Sequence, residues 1–259
     1  MIHFHFAEQG GGSSRIHRLD PRIKVVGTVL FIAASTTLPS GAWASYFLLF
    51  AGTLVVARLT GLGTAFALRR SFVALPFALA AITLPFTVPG QTIAQFGGFT
   101  LSAEGSVRLL SIFIKSWISV QMAILLAATT PFHDLLWTLR ELRLPRALVN
   151  IIGFMYRYLF VLADEATRLM RARAARAAVG LGKSGGGIVW RGRVAGGMVG
   201  NLLLRAFERS ERIYDAMVAR GFQGDILSLS PPVLTDSDRN ALVGWVTYVA
   251  MVVLVGFVF

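Results

Sequence analysis

Along the first half of the chain, uncharged apolar stretches alternate with short polar breaks. They run from about Ile23 to Leu38, Trp43 to Leu59, Phe72 to Val88 and Val107 to Thr130, and a last one runs from about Ala241 to Phe259. A helix needs about 20 apolar residues to cross the roughly 30 Å hydrocarbon core. The pattern therefore predicts four or five spans, the first two joined by a tight turn at Pro39, Ser40 and Gly41. Between the fourth stretch and the last, the period changes to that of surface helices. Three are predicted: about Phe132 to Leu142, with Asp134 in the first turn where a carboxylate suits the helix dipole; about Arg146 to Val179, stopped by Gly180 and Gly182; and about Ile188 to Arg220, with Gly221 as its C-terminal stop. Pro145 and the Gly185 to Gly187 run separate them. In the third of these helices Leu202, Ala206, Ile213 and Met217 make an apolar stripe, and Glu208 and Arg212 are spaced as an (i, i+4) pair on the wetter side. The segment Ile151 to Ala163 is apolar except for Arg157 and short for a crossing, so it is read as the start of a long helix packing under or partly into the membrane bundle.

The organisation that results is all-α: a polytopic membrane helical bundle with long amphipathic helices on the cytoplasmic side. Residues 1–22 form a cytoplasmic tail, 23–130 a bundle of about four spans, 131–239 the cytoplasmic helices and 240–259 a final transmembrane helix. Orientation follows from the basic residues in the loops. Arg15, Arg18, Arg22 and Lys24 flank the first span and Arg58, Arg69 and Arg70 lie between the second and third, whereas the Pro39 turn and the loop from Pro89 to Ser106 carry no Lys or Arg. The N-terminus and the long basic region are thereby placed on the inner, cytoplasmic side of a cell membrane. With five spans the C-terminus falls outside. Residues Met1 to Arg22 lack the apolar core of a signal peptide, so the first membrane helix is expected to remain in the protein.

Composition supports this reading. Of 259 residues 55% are hydrophobic and only 15% charged, with a mean hydropathy of +0.65, against about a quarter charged in a soluble domain. The net charge of +12 is spread through a mixed region: 16 of the 25 Lys and Arg lie between Pro131 and Arg239, beside 10 of the 13 acids. That balance fits a lipid or protein partner better than nucleic acid. The absence of cysteine excludes disulfides, thiolate metal sites and cysteine nucleophiles.

Two of the predicted inside helices end alike. Ala175, Arg176, Ala177 closes the second and Ala219, Arg220, Gly221 closes the third. A cation at a helix C-terminus is stabilised by the dipole, which would by itself account for both arginines. Flanked by small residues, each also presents a forked guanidinium to carboxylate or carbonyl acceptors on a close partner. Ala177 to Ser184 is near the spacing of a phosphate-binding loop, but it follows an arginine-alanine helix where such a loop follows a buried strand, so no nucleotide site is expected. His3 and His5 lack further ligands, and His133 is read as an interfacial residue. Lys115, with Arg108, is the charge of the fourth span, and either snorkels or pairs within the bundle. No acidic residue lies in a confident span, which argues against a self-contained carrier or cation channel, and no hydrolase constellation is present.

Three blocks carry a resemblance: Leu19, Asp20, Pro21, Arg22, Ile23, Lys24 before the first span; the arginine run ending in Arg176; and Glu211, Arg212, Ile213, Tyr214, Asp215, Ala216, Met217, Val218, Ala219, Arg220, Gly221, Phe222. From about Arg18 to Phe259 the chain resembles the transmembrane T component of energy-coupling-factor (ECF) transporters, of the cobalt-transport CbiQ-like group. The resemblance implies a non-catalytic scaffold of an ABC-type importer in a bacterial plasma membrane, whose coupling helices hold a membrane substrate-binding subunit, CbiM-like, against two cytoplasmic ATPases. ATP would be bound by those ATPases and no cofactor or metal by this chain. It assigns the ATPase contacts to Arg176 and Arg220 with their neighbours Ala175, Ala177, Ala219 and Gly221, although Ala177 stands where the family motif has glycine. Cobalt is the implied substrate, with nickel or a vitamin such as biotin as alternatives, and an autonomous channel or membrane enzyme as the competing classes.

Overall fold

The computed structural model describes residues 14–61, 63–74, 76, 81–96, 99–176, 187–224 and 234–258. The chain divides into two compact units, one comprising Met1–Thr138 with Pro231–Phe259 and the other Leu139–Ser230.

In the first unit a short helix α1 (Arg15–Arg18) leads into α2 (Pro21–Thr37). Asp20 caps α2 by accepting the Arg22 N–H at 2.8 Å, and Pro21 occupies the first helical position, where its missing N–H costs nothing. α3 (Trp43–Leu59) follows the turn at Pro39 to Ala42, then α4 (Thr64–Arg70). The expected third span, Phe72 to Val88, is not one helix. Among the described residues it comprises 3₁₀ turns at Ser71–Ala74 and Ala81–Thr83, a helical Pro76 and a short α5 (Leu84–Thr87). Pro76, Pro85 and Pro89 fall in or beside this stretch, and each removes a backbone donor and crowds the preceding turn. The segment Thr64–Val73 is also bent by 120° from α3.

The loop read between Pro89 and Ser106 contains an antiparallel hairpin of β1 (Thr92–Phe96) and β2 (Phe99–Ser102), in register Gln95 with Thr100 and irregular between Thr92 and Ala94. Among the described residues it is the one stretch of strand in an otherwise helical fold. α6 (Ala103–Thr129) starts at Ser102, whose hydroxyl accepts the Gly105 N–H, and α7 (Phe132–Glu141) follows. α10 (Asp236–Val258) closes the unit. Its start is a reciprocal capping box, with Asp238 accepting the Thr235 N–H at 3.1 Å and Thr235 Oγ1 accepting the Asp238 N–H at 3.4 Å.

α2, α3, α6 and α10 pack around Phe31, Tyr46, Leu49, Ile118, Leu125 and Val252. Close approach is made possible by small residues. Trp245 lies against Gly27 and donates to its carbonyl at 3.1 Å, while Tyr248 lies against Gly52 and donates to the Leu48 carbonyl at 2.6 Å. Hydroxyls are turned inward: Ser35 pairs with Ser119 at 2.9 Å, Ser45 donates to the Val252 carbonyl and Thr53 to Gln121. Large apolar side chains are turned outward, Phe47 at 72% exposure with Val55, Met251, Leu254 and Phe257. Small and polar residues between helices with bulky apolar ones outside is the arrangement expected when the solvent is lipid.

The second unit is a helical pair, α8 (Arg146–Arg176) and α9 (Ile188–Ala219). α6, α8 and α10 are each long and apolar enough to cross a bilayer, with the bent α3 and Thr64–Val73 pair as a possible fourth, while α2 has 17 residues, the short limit for a crossing. α8 thus has a crossing's length and composition, where the sequence pattern reads its Ile151 to Ala163 part as packing under or partly into the membrane bundle.

Candidate functional site

α8 and α9 run antiparallel. Asn150, near the start of α8, donates to the Gly224 carbonyl beyond the end of α9 at 2.8 Å; Glu165 accepts from Arg205 at 3.3 Å and from Arg209 at 2.9 Å; and the Arg173 guanidinium lies 5.6 Å from the Trp190 ring centre. The partly buried positions of α9 recur at Val194, Met198, Leu202, Ala206, Arg209, Ile213 and Met217, which is the predicted stripe extended toward the start of the helix and with a charge inserted in it. Arg209 sits on this seam because Glu165, 16% exposed, neutralises it there. The expected Glu208 and Arg212 ion pair is not formed; both side chains are exposed, where solvation competes with pairing, and the ion pairs of α9 go to α8 instead.

The antiparallel run places the two arginine ends at opposite ends of the pair. Arg176 is the last residue of α8, beside the start of α9, while Arg220 is the C-cap of α9, beside the start of α8. At the helical rise α8 is about 45 Å long. The Arg220 end is built by a Schellman closure: Gly221 has φ +81°, its N–H donates to the Val218 carbonyl at 2.9 Å and the Phe222 N–H donates to the Met217 carbonyl at 3.0 Å. The last carbonyls are thus satisfied by backbone, and the Arg220 side chain is not needed for the cap. Arg176, Ala175, Ala219 and Arg220 are all exposed, and neither arginine has an ion-pair partner among the described residues. Ala177, the glycine stop at Gly180 and Gly182 and the Ala177 to Ser184 run lie outside the described residues, as do His3 and His5.

Lys115 pairs inside the bundle: its ammonium donates to the Leu38 carbonyl at the end of α2 and lies 5.7 Å from the Tyr46 ring centre. It caps a helix end. A junction that sequence reasoning did not assign is formed by the Leu19 to Lys24 block. Lys24 donates to the carbonyls of His17 at 3.0 Å and Thr129 at 3.3 Å, tying the start of α2 to the end of α6, and the Asp20 N–H donates to Asp238 at 3.5 Å, tying it to α10. Arg22 stacks 4.2 Å from the Trp137 ring centre of α7. The only signal was the motif itself, since its partners lie about 100 and 200 residues away. Burial, and then the charge of Lys24, push the His17 imidazole below its usual pKa.

A helical bundle with apolar side chains outward and hydroxyls inward, carrying a separate charged helical pair, defines an α-helical integral membrane protein. More narrowly, the chain belongs to the cobalt transport protein family (CbiQ), which its residues 12–230 match. It is 26% identical to the energy-coupling factor transporter transmembrane protein EcfT of Lacticaseibacillus paracasei, over 95% of this chain and 93% of that one. It is 31% identical to the cobalt transport protein CbiQ of Rhodobacter capsulatus, over 59% of this chain and 62% of the relative. An uncharacterized protein of Methanocaldococcus jannaschii is 24% identical over 93% of this chain and 83% of its own.

Proposed function

We propose that this chain is the transmembrane coupling subunit of an ECF-type importer. In this reading Arg176 and Arg220 each engage one cytoplasmic ATPase, and α8 and α9 carry the movement of the ATPase pair to the membrane bundle and to a substrate-binding membrane subunit. The observation that carries it is the placement of two exposed arginines at opposite ends of one antiparallel helical pair, a spacing that suits two separate partners. A helix pair stiffened by the Glu165 bridge can transmit a displacement applied at its ends. ATP, bound by the ATPases, would favour one arrangement of that pair over another, which is what lets ligand binding drive a switch. Cobalt(II) is the proposed cargo, on the strength of the family and of the Rhodobacter relative's name. Nickel or a vitamin is the alternative cargo.

The test is assembly and ATP-driven uptake in a reconstituted complex carrying Arg220→Glu, alone and with Arg176→Glu. The single change is expected to weaken assembly and the pair to abolish it, with the variant chain still inserted and folded. Assembly and transport surviving the double change would leave these arginines as helix ends only. Competition between labelled cobalt, nickel and biotin in the same vesicles assigns the cargo.

A further inference from the structure

The two ends of the helical pair are electrostatically unequal. From Ala166 to Phe207 the chain has eight Lys or Arg and no Asp or Glu. Two of these cations are matched by acids that precede the run, Arg168 by Asp164 at 2.7 Å and Arg205 by Glu165. Of the remainder, Arg171, Arg173, Arg176, Arg191 and Arg193 belong to the end where α8 finishes and α9 begins, and Lys183 falls between these helices in the sequence. At the other end, Glu208, Glu211 and Asp215 are interleaved with Arg209, Arg212 and Arg220. Excess positive charge is therefore a property of one end.

That same end carries bulky apolar side chains in water-facing positions. Ile188, Val189 and Trp190 are 88%, 78% and 49% exposed, and the Arg173 contact with Trp190 brings the last turns of α8 beside them. We propose that this end binds the surface of the bilayer, with Ile188, Val189 and Trp190 entering the interface and Arg171 and Arg193 among the basic residues that hold anionic phospholipid headgroups. Arginine beside tryptophan and aliphatic residues on a helix is the chemistry of interfacial attachment, and tryptophan is suited to the headgroup level. The chain is already inserted in the membrane, so the leaflet is present at high effective concentration and a modest intrinsic attraction suffices. Each basic residue near an anionic surface strengthens attachment about fivefold. An acidic protein groove is the other partner such a surface could take, and the experiment below separates the two.

The absence of cysteine makes a single reporter possible. Full-length Ile188→Cys carrying an environment-sensitive fluorophore is placed in nanodiscs of phosphatidylcholine alone or with about a third phosphatidylglycerol, without ATPases. The proposal expects a blue-shifted emission and quenching by brominated acyl chains in the anionic discs only, both reversed by high salt. Arg171→Gln with Arg193→Gln should weaken the response on the order of 25-fold, and Arg171→Lys with Arg193→Lys should retain it, which separates charge from folding. Equal signals in the two lipids, or a response that ignores salt, overturns the proposal. So does a shift that arises only when the ATPases are added, which would give this surface to them. Arg176 and Arg220 are left intact, so the result is independent of the assembly test.

Discussion

At the scale of single residues, several side chains do work that their position in the sequence does not announce. His17 sits beside Lys24, whose ammonium is held on the His17 carbonyl, while Ser14 Oγ meets its Nδ1 at 2.7 Å. Because burial and that charge lower the folded-state pKa, the unfolded segment binds a proton at a higher pH than the folded one. Stability is then fully present above the ordinary imidazole value of about 6.5 and is lost as pH falls through the lowered folded value. Hydrogen-exchange protection across residues 14–24, taken relative to the intrinsic rate at each pH, should fall as pH drops from about 7 to 5, and His17→Gln should flatten that dependence. Arg143 poses a different problem. It holds φ +65° as the residue that closes α7, with its N–H on the Arg140 carbonyl at 3.1 Å and the Leu144 N–H on the Leu139 carbonyl at 3.2 Å. A side chain in the left-handed region costs about 1 kcal/mol, so Arg143→Gly is expected to raise stability by roughly 0.5–1 kcal/mol. An unchanged or lower midpoint in denaturant would show that the arginine side chain offsets the strain.

At the scale of elements, the pairing of α8 with α9 depends on a charge placed on an otherwise apolar seam. Glu165 is the carboxylate that makes Arg209 tolerable there, and Arg205 is a second, more exposed donor. Glu165→Gln leaves a partly buried guanidinium without its counter-charge and should weaken the helical pair by about 1–2 kcal/mol. The check is a spin-label distance between the facing ends of α8 and α9, whose distribution should broaden in the variant. Helix boundaries followed in part from local punctuation: Pro145 and Gly221 fall where a break and a stop were expected, while the Asp20 cap with Pro21 at the start of α2 was read only from the structure. The stretch Phe72 to Val88 shows the opposite case, in which apolar content suggests a span and the prolines within and after it interrupt the helix. Hydropathy measures solubility in lipid and says nothing of whether the backbone can close its hydrogen bonds.

At the scale of the molecule, the distribution of Lys and Arg predicts a topology that is directly measurable in a chain without cysteine. Ser40→Cys, in the uncharged turn between α2 and α3, should react with an impermeant maleimide added outside intact cells. Ser184→Cys, in the basic region, should react only after the membrane is opened. The reverse pattern would invert the orientation assigned by the positive-inside rule.

Read without coordinates, the chain was already recognisable as a helical membrane protein with a basic helical region and two arginine-ended helices. These properties are local: apolar length, helical period, caps and charge are each set by residues within a few turns of one another, and the long α8 and α9 came out close to the predicted spans. Which residues meet across the fold was decided only by tertiary structure. The Leu19 to Lys24 block could not disclose that it binds the end of α6 and the start of α10, Lys115 that it caps α2, Arg209 that it crosses to Glu165, or the two arginines that antiparallel packing sets them at opposite ends. Each of those contacts joins residues dozens to hundreds of positions apart, and its energy exists only after the intervening chain has been folded back to bring the partners together.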